Sequence, residues 1–387
     1  MTAASNAFDG FLKNVRLPDH LAKQCRDEHL RLRGLLLADA DLRDIIVSTF
    51  LQGSYRRDTG TKPNGEDSHA DVDVVVVTTL DPTRYSPDLV VARFTPFLER
   101  NYPDQWERQD RAVKITPTGK DVTLDLVVTA APSKIQQEFF ESVDPMFKAA
   151  RTGAPAPQPL NFREAFDRIA KSARLEEWQR EPLLIPSRDL GRWERTHPLE
   201  QIRWTQEKND DTDGHYINVV RTLKWWRKEN PDGKYPKGYP LEHFVGDTCP
   251  DGIGSVAEGV THALEAIRDN YRIFVQTGQK PNLPDRGVPE HDVFKKVTAQ
   301  QFATFWRLVE TAAGRARTAL NAEGNANSMI LWRDLLGPEF PQPPKDELKE
   351  SIAAALRNGS AGVIGGGIVS GGGRPIVSGR SFGDDHE

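Results

Sequence analysis

Asp71 and Asp73 are the residues whose type and spacing most directly suggest chemistry. They lie in Ala70-Asp71-Val72-Asp73-Val74-Val75-Val76-Val77, a run rich in β-branched residues that reads as a strand. Side chains alternate along a strand, so the two carboxylates share one face, roughly 6–7 Å apart, while Val72, Val74 and Val76 fill the core-facing side. No Lys or Arg between Ala70 and Val77 neutralises them. Two carboxylates about 4 Å apart repel by about 4 kcal/mol at an effective dielectric near 20, so the pair requires a cation or a raised pKa. Asp125, flanked by Leu124 and Leu126 in a second apolar strand, is the natural third member. Three converging carboxylates form a hard-oxygen donor set suited to Mg²⁺, and two such ions can activate an attacking hydroxyl and stabilise a leaving pyrophosphate. Gln52-Gly53-Ser54 follows an apolar strand and ends seventeen residues before Asp71. Glycine lets backbone N–H groups approach a phosphate there, and the serine can donate to the same oxygens. A lone D-x-D is better read as a strand end or turn cap; Gly-Ser, then D-x-D, then an isolated Asp in a later strand favours chemistry.

The elements that must position these residues follow from the hydrophobic pattern. Residues 6–40 read as helix, interrupted at Leu17-Pro18-Asp19, with basic residues on a solvated face. Strand-like segments cover Ile45–Ser54, Ala70–Val77, Ala112–Ile115 and Val122–Val128, with a helix over 85–100. The Pro117–Lys120 turn predicts an antiparallel hairpin, hence an α/β lobe with a mixed sheet. Residues 150–200 are Pro-rich and read as an irregular crossing segment between lobes. Beyond 215 the pattern turns helical, with Tyr216, Val219, Val220, Leu223 and Trp226 at helical spacing and further helices near 255–277, 298–320 and 327–336. Ten of the 25 residues from Gly359 to Gly383 are glycine and Ile-Val-Ser occurs twice, a composition that cannot bury a core. The expected division is a helical segment bridging the lobes over 1–40, a catalytic α/β core over 41–200, a helical domain over 201–345 and a flexible Gly-rich tail over 346–387.

Composition narrows the function classes. With 387 residues, 28% of them charged and a net charge of −5, the chain has no strong field favouring nucleic acid or an anionic membrane. No apolar run approaches the length of a membrane span, and the N-terminus has no apolar core of a secretory signal. Two cysteines, Cys25 and Cys249, exclude a disulfide scaffold and any Cys-based zinc site, and suit a reducing cytoplasm. His197, His215, His243, His262 and His291 lack paired metal-ligand spacing and read as structural, and Trp204, Trp225 and Trp226 read as core.

The order Gly-Ser, D-x-D, Asp resembles the polymerase-β-like nucleotidyltransferases. The flanks are similar to the bacterial relatives of cyclic GMP-AMP synthase and oligoadenylate synthetase, the CD-NTases, and most like their clade D. The resemblance runs from about residue 6 to 341 through Val47–Ser54, Trp193–Pro198, Gly214–Asn218, Lys224-Trp225-Trp226, Tyr235–His243 and Glu290–Val293. It implies a nucleotidyltransferase lobe with a mixed sheet plus an oligoadenylate-synthetase-like helical lobe. It also implies two bound Mg²⁺ ions, with Mn²⁺ as a substitute, on Asp71, Asp73 and Asp125. Gln52, Gly53 and Ser54 match the loop that holds the donor triphosphate, and Lys224 matches a lysine that contacts phosphates. Family members often carry a serine in the loop after that helix, where Lys237-Gly238-Tyr239 stands here; Tyr239 either stacks on a base or packs. The implied activity converts ATP and other NTPs into an adenine-containing cyclic trinucleotide, a second messenger for a separate effector in anti-phage (CBASS) defence. The zinc thumb of the animal DNA sensor has no counterpart, so activation by that device is not expected. The tail segment Arg380–Gly383 resembles an end joined to other proteins by ubiquitin-like machinery, although Asp384–Glu387 follow it. Two other readings share the site: transfer to an RNA 3′ end or a small-molecule hydroxyl, and an inactive nucleotide-binding module.

Overall fold

The computed structural model describes residues 3–64, 69–131, 133, 134, 136, 137, 181–230 and 235–349, together with the backbone of 361–364 and 367–370. Its centre is a seven-stranded mixed sheet. Strand β1 (Ile46–Gln52) pairs antiparallel with β2 (Ala70–Thr78), which runs parallel to β5 (Val122–Ala130); β4 (Val113–Ile115) and β3 (Trp106–Arg108) continue antiparallel beyond β5. The four consecutive valines of β2 are buried on both faces, as a central strand covered on both sides demands. Val72, Val74 and Val76 pack beneath α2 (Asp19–Ala38) and α4 (Pro87–Asn101), against Cys25, Leu32, Phe94 and Phe97. Between β1 and β2, the single turn α3 (Gly53–Arg56) starts directly after Gln52.

The opposite face, which carries Asp71 and Asp73, buries Val75, Val77 and Val127 against Leu183, Ile185, Leu199 and Ile202. Leu183, Ile185 and Leu199 come from a part of the chain expected to be irregular. Residues Leu183–Ser187 (β6) and Arg192–Thr196 (β7) form an antiparallel pair attached to the end of β5 at Ala130, and α5 (Pro198–Asp211) follows. The prolines misled the sequence pattern. At Pro186 the strand pairs only with β7, so a missing N–H is tolerated, and Pro198 opens the first turn of a helix, where no N–H is required. Helix α5 runs through the boundary expected between 200 and 201. The rest of the expected crossing segment, 150–180, lies outside the described residues.

Further helices among the described residues include α6 (Tyr216–Lys228), α7 (Gly238–Thr248), α8 (Val256–Asn270), α9 (Arg272–Gln276), α10 (Ala299–Leu320) and α11 (Asn325–Leu336). The helix expected over 255–277 is two helices joined at Tyr271. Ser255 caps the first of them and a Thr298–Gln301 capping box starts α10. Trp225 and Trp226 are core residues of this helical lobe. The first helix, α1 (Ala3–Val15), places Phe8, Phe11, Leu12 and Val15 in the same core, while α2 packs on the sheet, so the N-terminal segment contributes to both cores. No described helix is long and apolar enough to cross a membrane. In the tail, Ala361–Ile364 (β8) and Gly367–Ser370 (β9) pair antiparallel, using the β-branched residues of the first Ile-Val-Ser repeat. The remainder of the expected tail from 350 onward, including Arg380–Gly383, lies outside the described residues.

Candidate active site

Strand register brings the predicted carboxylates together. Asp73 stands opposite Asp125 across the parallel β2–β5 pair, and Asp71 stands opposite Thr123. Directly opposed residues on neighbouring strands hold their Cβ atoms about 5 Å apart, so Asp73 and Asp125 are face-sharing neighbours. Thr123 donates its hydroxyl to Asp71 Oδ1 at 2.9 Å. On the other side of β2, Asp73 is paired with Gln52, whose side chain hydrogen-bonds to its carboxylate. The three carboxylates, Gln52 and Gly53 therefore converge on one end of one sheet face.

Gly53 shows why the loop needs glycine. Its φ of 72° lies in the left-handed region, and a Cβ added there would sit 1.9 Å from Asp73 Oδ2. The loop backbone thus lies directly against the second carboxylate. Ser54, the next residue, accepts the backbone N–H of Thr59 at its carbonyl, which closes the turn over residues 54–59.

The electrostatics follow from crowding. Burial raises the pKa of Asp71, with the Thr123 hydrogen bond opposing it. Burial and the neighbouring Asp71 push Asp73 up to about 6. Asp125 is pushed up to about 7 by burial, then by Asp71 and Asp73, with Lys114 opposing from the facing position on β4. Asp125 Oδ1 is buried and receives no hydrogen bond. An orphaned buried carboxylate oxygen beside two destabilised carboxylates is the donor chemistry of a hard divalent cation site, so these residues fit Mg²⁺. As they stand, the side chains do not close on one point: among the described residues, no group of three or more His, Cys, Asp or Glu is placed to hold a metal ion. The convergence expected from sequence is one of shared face and register, with Asp71 held by Thr123 and the carboxylates repelling one another.

Lys224 lies elsewhere in the constellation, on α6 of the helical lobe. Its ammonium donates to Glu242 Oε1 at 2.5 Å and to Thr59 Oγ1 at 3.2 Å, and burial lowers its pKa despite the Glu242 charge. It therefore reaches the loop that follows Ser54, but through Thr59 and not through the carboxylates. Tyr239, at the start of α7, donates its hydroxyl to Asp285 Oδ2 at 3.2 Å; its ring lies 4.9 Å from the Arg57 guanidinium and edge-on to His243. In this seating the ring packs against Arg57 and His243.

Sequence reasoning missed four residues. Thr123 and Lys114 are visible only through strand register, Thr123 beside Asp71 and Lys114 opposite Asp125. Arg57 and Glu242 are 185 positions apart and meet in a bidentate ion pair at 3.0 and 3.2 Å. The only available signal was Arg57 closely following Gly53-Ser54, and an arginine after a turn is unremarkable.

Comparison with known proteins agrees with this geometry. Residues 1–136 match the family described as the Second Messenger Oligonucleotide or Dinucleotide Synthetase domain. The cyclic AMP-AMP-GMP synthase of Enterobacter hormaechei is 40% identical over 351 residues, covering 87% of this chain and 91% of that protein. The cyclic AMP-AMP-AMP synthase of an Acinetobacter species is 29% identical over 348 residues, covering 88% of this chain and 86% of that protein. Among solved structures, the Bradyrhizobium diazoefficiens CD-NTase CdnG in complex with GTP is similar with a TM-score of 0.61 at 14% identity, covering 86% of this chain and 94% of that one; at that identity it speaks for the fold alone. A register-matched carboxylate set, a glycine loop pressed against it and 40% identity over nearly the whole length leave one assignment: the chain belongs to the CD-NTases, the bacterial nucleotidyltransferases that synthesise cyclic oligonucleotide second messengers.

Proposed function

We propose that the chain condenses NTPs into a cyclic trinucleotide in which adenine predominates, releasing pyrophosphate at each bond. The observation that carries the reading is the Asp73–Asp125 register with Gly53 packed onto Asp73, which sets a phosphate-binding backbone against a cation-seeking carboxylate pair. Asp71, Asp73 and Asp125 would hold two Mg²⁺ ions, or Mn²⁺ in their place, which supply charge neutralisation for the attacking and leaving oxygens. The Gln52–Ser54 loop holds the donor triphosphate through backbone N–H groups and the Ser54 hydroxyl. Lys224 adds positive charge behind that loop. A ribose hydroxyl of the acceptor attacks the donor α-phosphorus in line; the new O–P bond forms as the bond to the β-phosphate oxygen breaks and pyrophosphate leaves. A second extension gives a linear trimer, and attack by its own terminal hydroxyl closes the ring. Positioning and charge neutralisation provide the acceleration. The product acts in the cytoplasm as a second messenger for a separate effector in anti-phage defence.

The test is incubation with Mg²⁺ and labelled ATP, GTP, CTP and UTP, followed by phosphatase and mass analysis. A phosphatase-resistant product with the mass of a cyclic trinucleotide is the expected result. Turnover only on addition of RNA or a small hydroxylated acceptor would replace this reading with transfer to such an acceptor.

A further inference from the structure

The buried charges between the two lobes are arranged around a single carboxylate. Glu242, on α7, is 4% exposed and receives four hydrogen bonds: two from the Arg57 guanidinium, one from the Thr59 hydroxyl at 3.0 Å and one from the Lys224 ammonium. Arg57 and Lys224 are 7% and 6% exposed, and Thr59 is fully buried. Burial alone would raise the Glu242 pKa; Arg57 and Lys224 overcome it and hold the group well below the usual carboxylate range, so it is an anion. Its backbone carbonyl accepts the Tyr216 hydroxyl at 3.1 Å, which ties α7 to α6.

Arg57 and Thr59 belong to the same short loop as Gly53 and Ser54. Arg57 ends the turn that Gly53 begins, donating its backbone N–H to the Gly53 carbonyl at 3.1 Å, and Thr59 donates its backbone N–H to the Ser54 carbonyl at 3.0 Å. Arg221 of α6 grips the same loop, donating to the Gly60 carbonyl at 3.1 Å and to Asp58 Oδ1 at 2.8 Å. The loop that packs against Asp73 is thus anchored on the helical lobe and not only on its own sheet. Within this anchor Glu242 is the one group that contacts Arg57, Thr59 and Lys224 together.

We infer that Glu242 is a positioning residue for the phosphate-holding loop: it locks residues 57–59 onto the helical lobe and thereby fixes Gly53 and Ser54 relative to Asp73. The inference rests on the proposed nucleotidyl transfer for its kinetic consequence, while the anchoring itself does not. Glu242 acts through Arg57 and Thr59, so its loss loosens the loop and misaligns the donor, while the phosphate-binding groups of Gly53 and Ser54 are still present. In-line transfer is sensitive to that alignment, since a displacement of about 1 Å can cost about 100-fold in rate.

Two measurements on full-length wild type, Glu242→Gln and Glu242→Asp decide the matter. In hydrogen exchange without nucleotide, Glu242→Gln speeds the amides of 53–60 by about tenfold or more and leaves those of β5 unchanged, while Glu242→Asp lies between. Unchanged exchange at 53–60, or equal acceleration in β5, overturns the anchoring role. In steady-state assays with ATP and Mg²⁺, Glu242→Gln lowers kcat by about tenfold or more with KM within about threefold of wild type, and Glu242→Asp recovers part of kcat. A rise in KM alone, or an unchanged kcat, overturns the positioning role. If wild type forms no product, the proposed function fails and the exchange data still decide the anchoring. Should Glu242→Gln not fold, the same comparison is made with Glu242→Asp and with Thr59→Val, which removes one of the four donors.

Discussion

At the residue scale, the site is defined by carboxylates that resist ionisation because they are buried and, for Asp73 and Asp125, because they are crowded by their neighbours. Asp73 and Asp125 have folded pKa values near 6 and 7, above their usual 3.8. A carboxylate raised in the folded state binds its proton more tightly there than when unfolded. Its ionisation therefore weakens the fold above the folded pKa, and that cost disappears as pH falls from about 7 toward 4. In chelator, Asp125→Asn should raise the thermal midpoint at pH 8 by about 1–3 °C, by less at pH 5 and not at all below about pH 4, while abolishing turnover; a lower midpoint at pH 8 would contradict the burial and crowding. Asp71→Ala and Asp73→Ala should each lower turnover by about 10²–10³-fold or more, measured as pyrophosphate release. Gly53→Ala faces both a strained φ and a collision with Asp73, so it should lose most turnover and about 1–3 kcal/mol of stability in urea titration. Asp71, Asp73, Asp125 and Gly53 were legible in the sequence because residue type and strand alternation announce them. Thr123, Lys114, Arg57 and Glu242 were not, because each gains its role from a partner on a different element.

At the element scale, register decides whether the carboxylates meet. A slip of one residue between β2 and β5 would turn Asp125 to the opposite face and bury it among Val72 and Val74. The alternating valines prevent this, since slippage would expose one core and overfill the other. The sequence pattern located β1, β2, β4 and β5 because their β-branched runs are long or turn-bounded. It passed over β6, β7 and α5 because prolines were read as breakers, and proline is tolerated in a singly paired strand and in the first turn of a helix. Helix α1 illustrates burial far from the site. Phe8 is nearly perpendicular to Trp332 and Phe340, with ring centroids 5.0 and 5.2 Å away. Phe8→Ala should cost about 3–5 kcal/mol, read by denaturant unfolding, and leave turnover below the new midpoint unchanged. A loss under about 1 kcal/mol would mean that α1 is not part of the helical core.

At the scale of the whole molecule, the buried carboxylates shift in opposite directions, Glu242 downward and Asp73 and Asp125 upward. Glu242 is depressed from 4.5 to about 2, so its contribution is complete above pH 4.5 and is lost as pH falls from there toward 2. Asp73 and Asp125 act in the other direction, weakening the cation-free protein as pH rises from about 4 to about 6–7, the window in which the buried His29 and His243 act oppositely. The carboxylate contribution is therefore read as a difference from wild type: in chelator, the midpoint gain of Asp73→Asn should grow as pH rises from about 4 to about 6, and Mg²⁺ with a nonhydrolysable NTP should shrink it. A gain that stays constant across that range would refute the balance. The amino-acid order by itself determined the acidic set, the glycine turn, the strands that carry them and the helical character of the second half, because these depend on local periodicity and residue type. The tertiary structure alone decided that Asp73 faces Asp125, that Thr123 hydrogen-bonds to Asp71 and that Arg57 and Thr59, just after Gly53-Ser54, meet Glu242 of the helical part. Those contacts join residues as far as 185 positions apart, and only the packing of separate elements makes them neighbours.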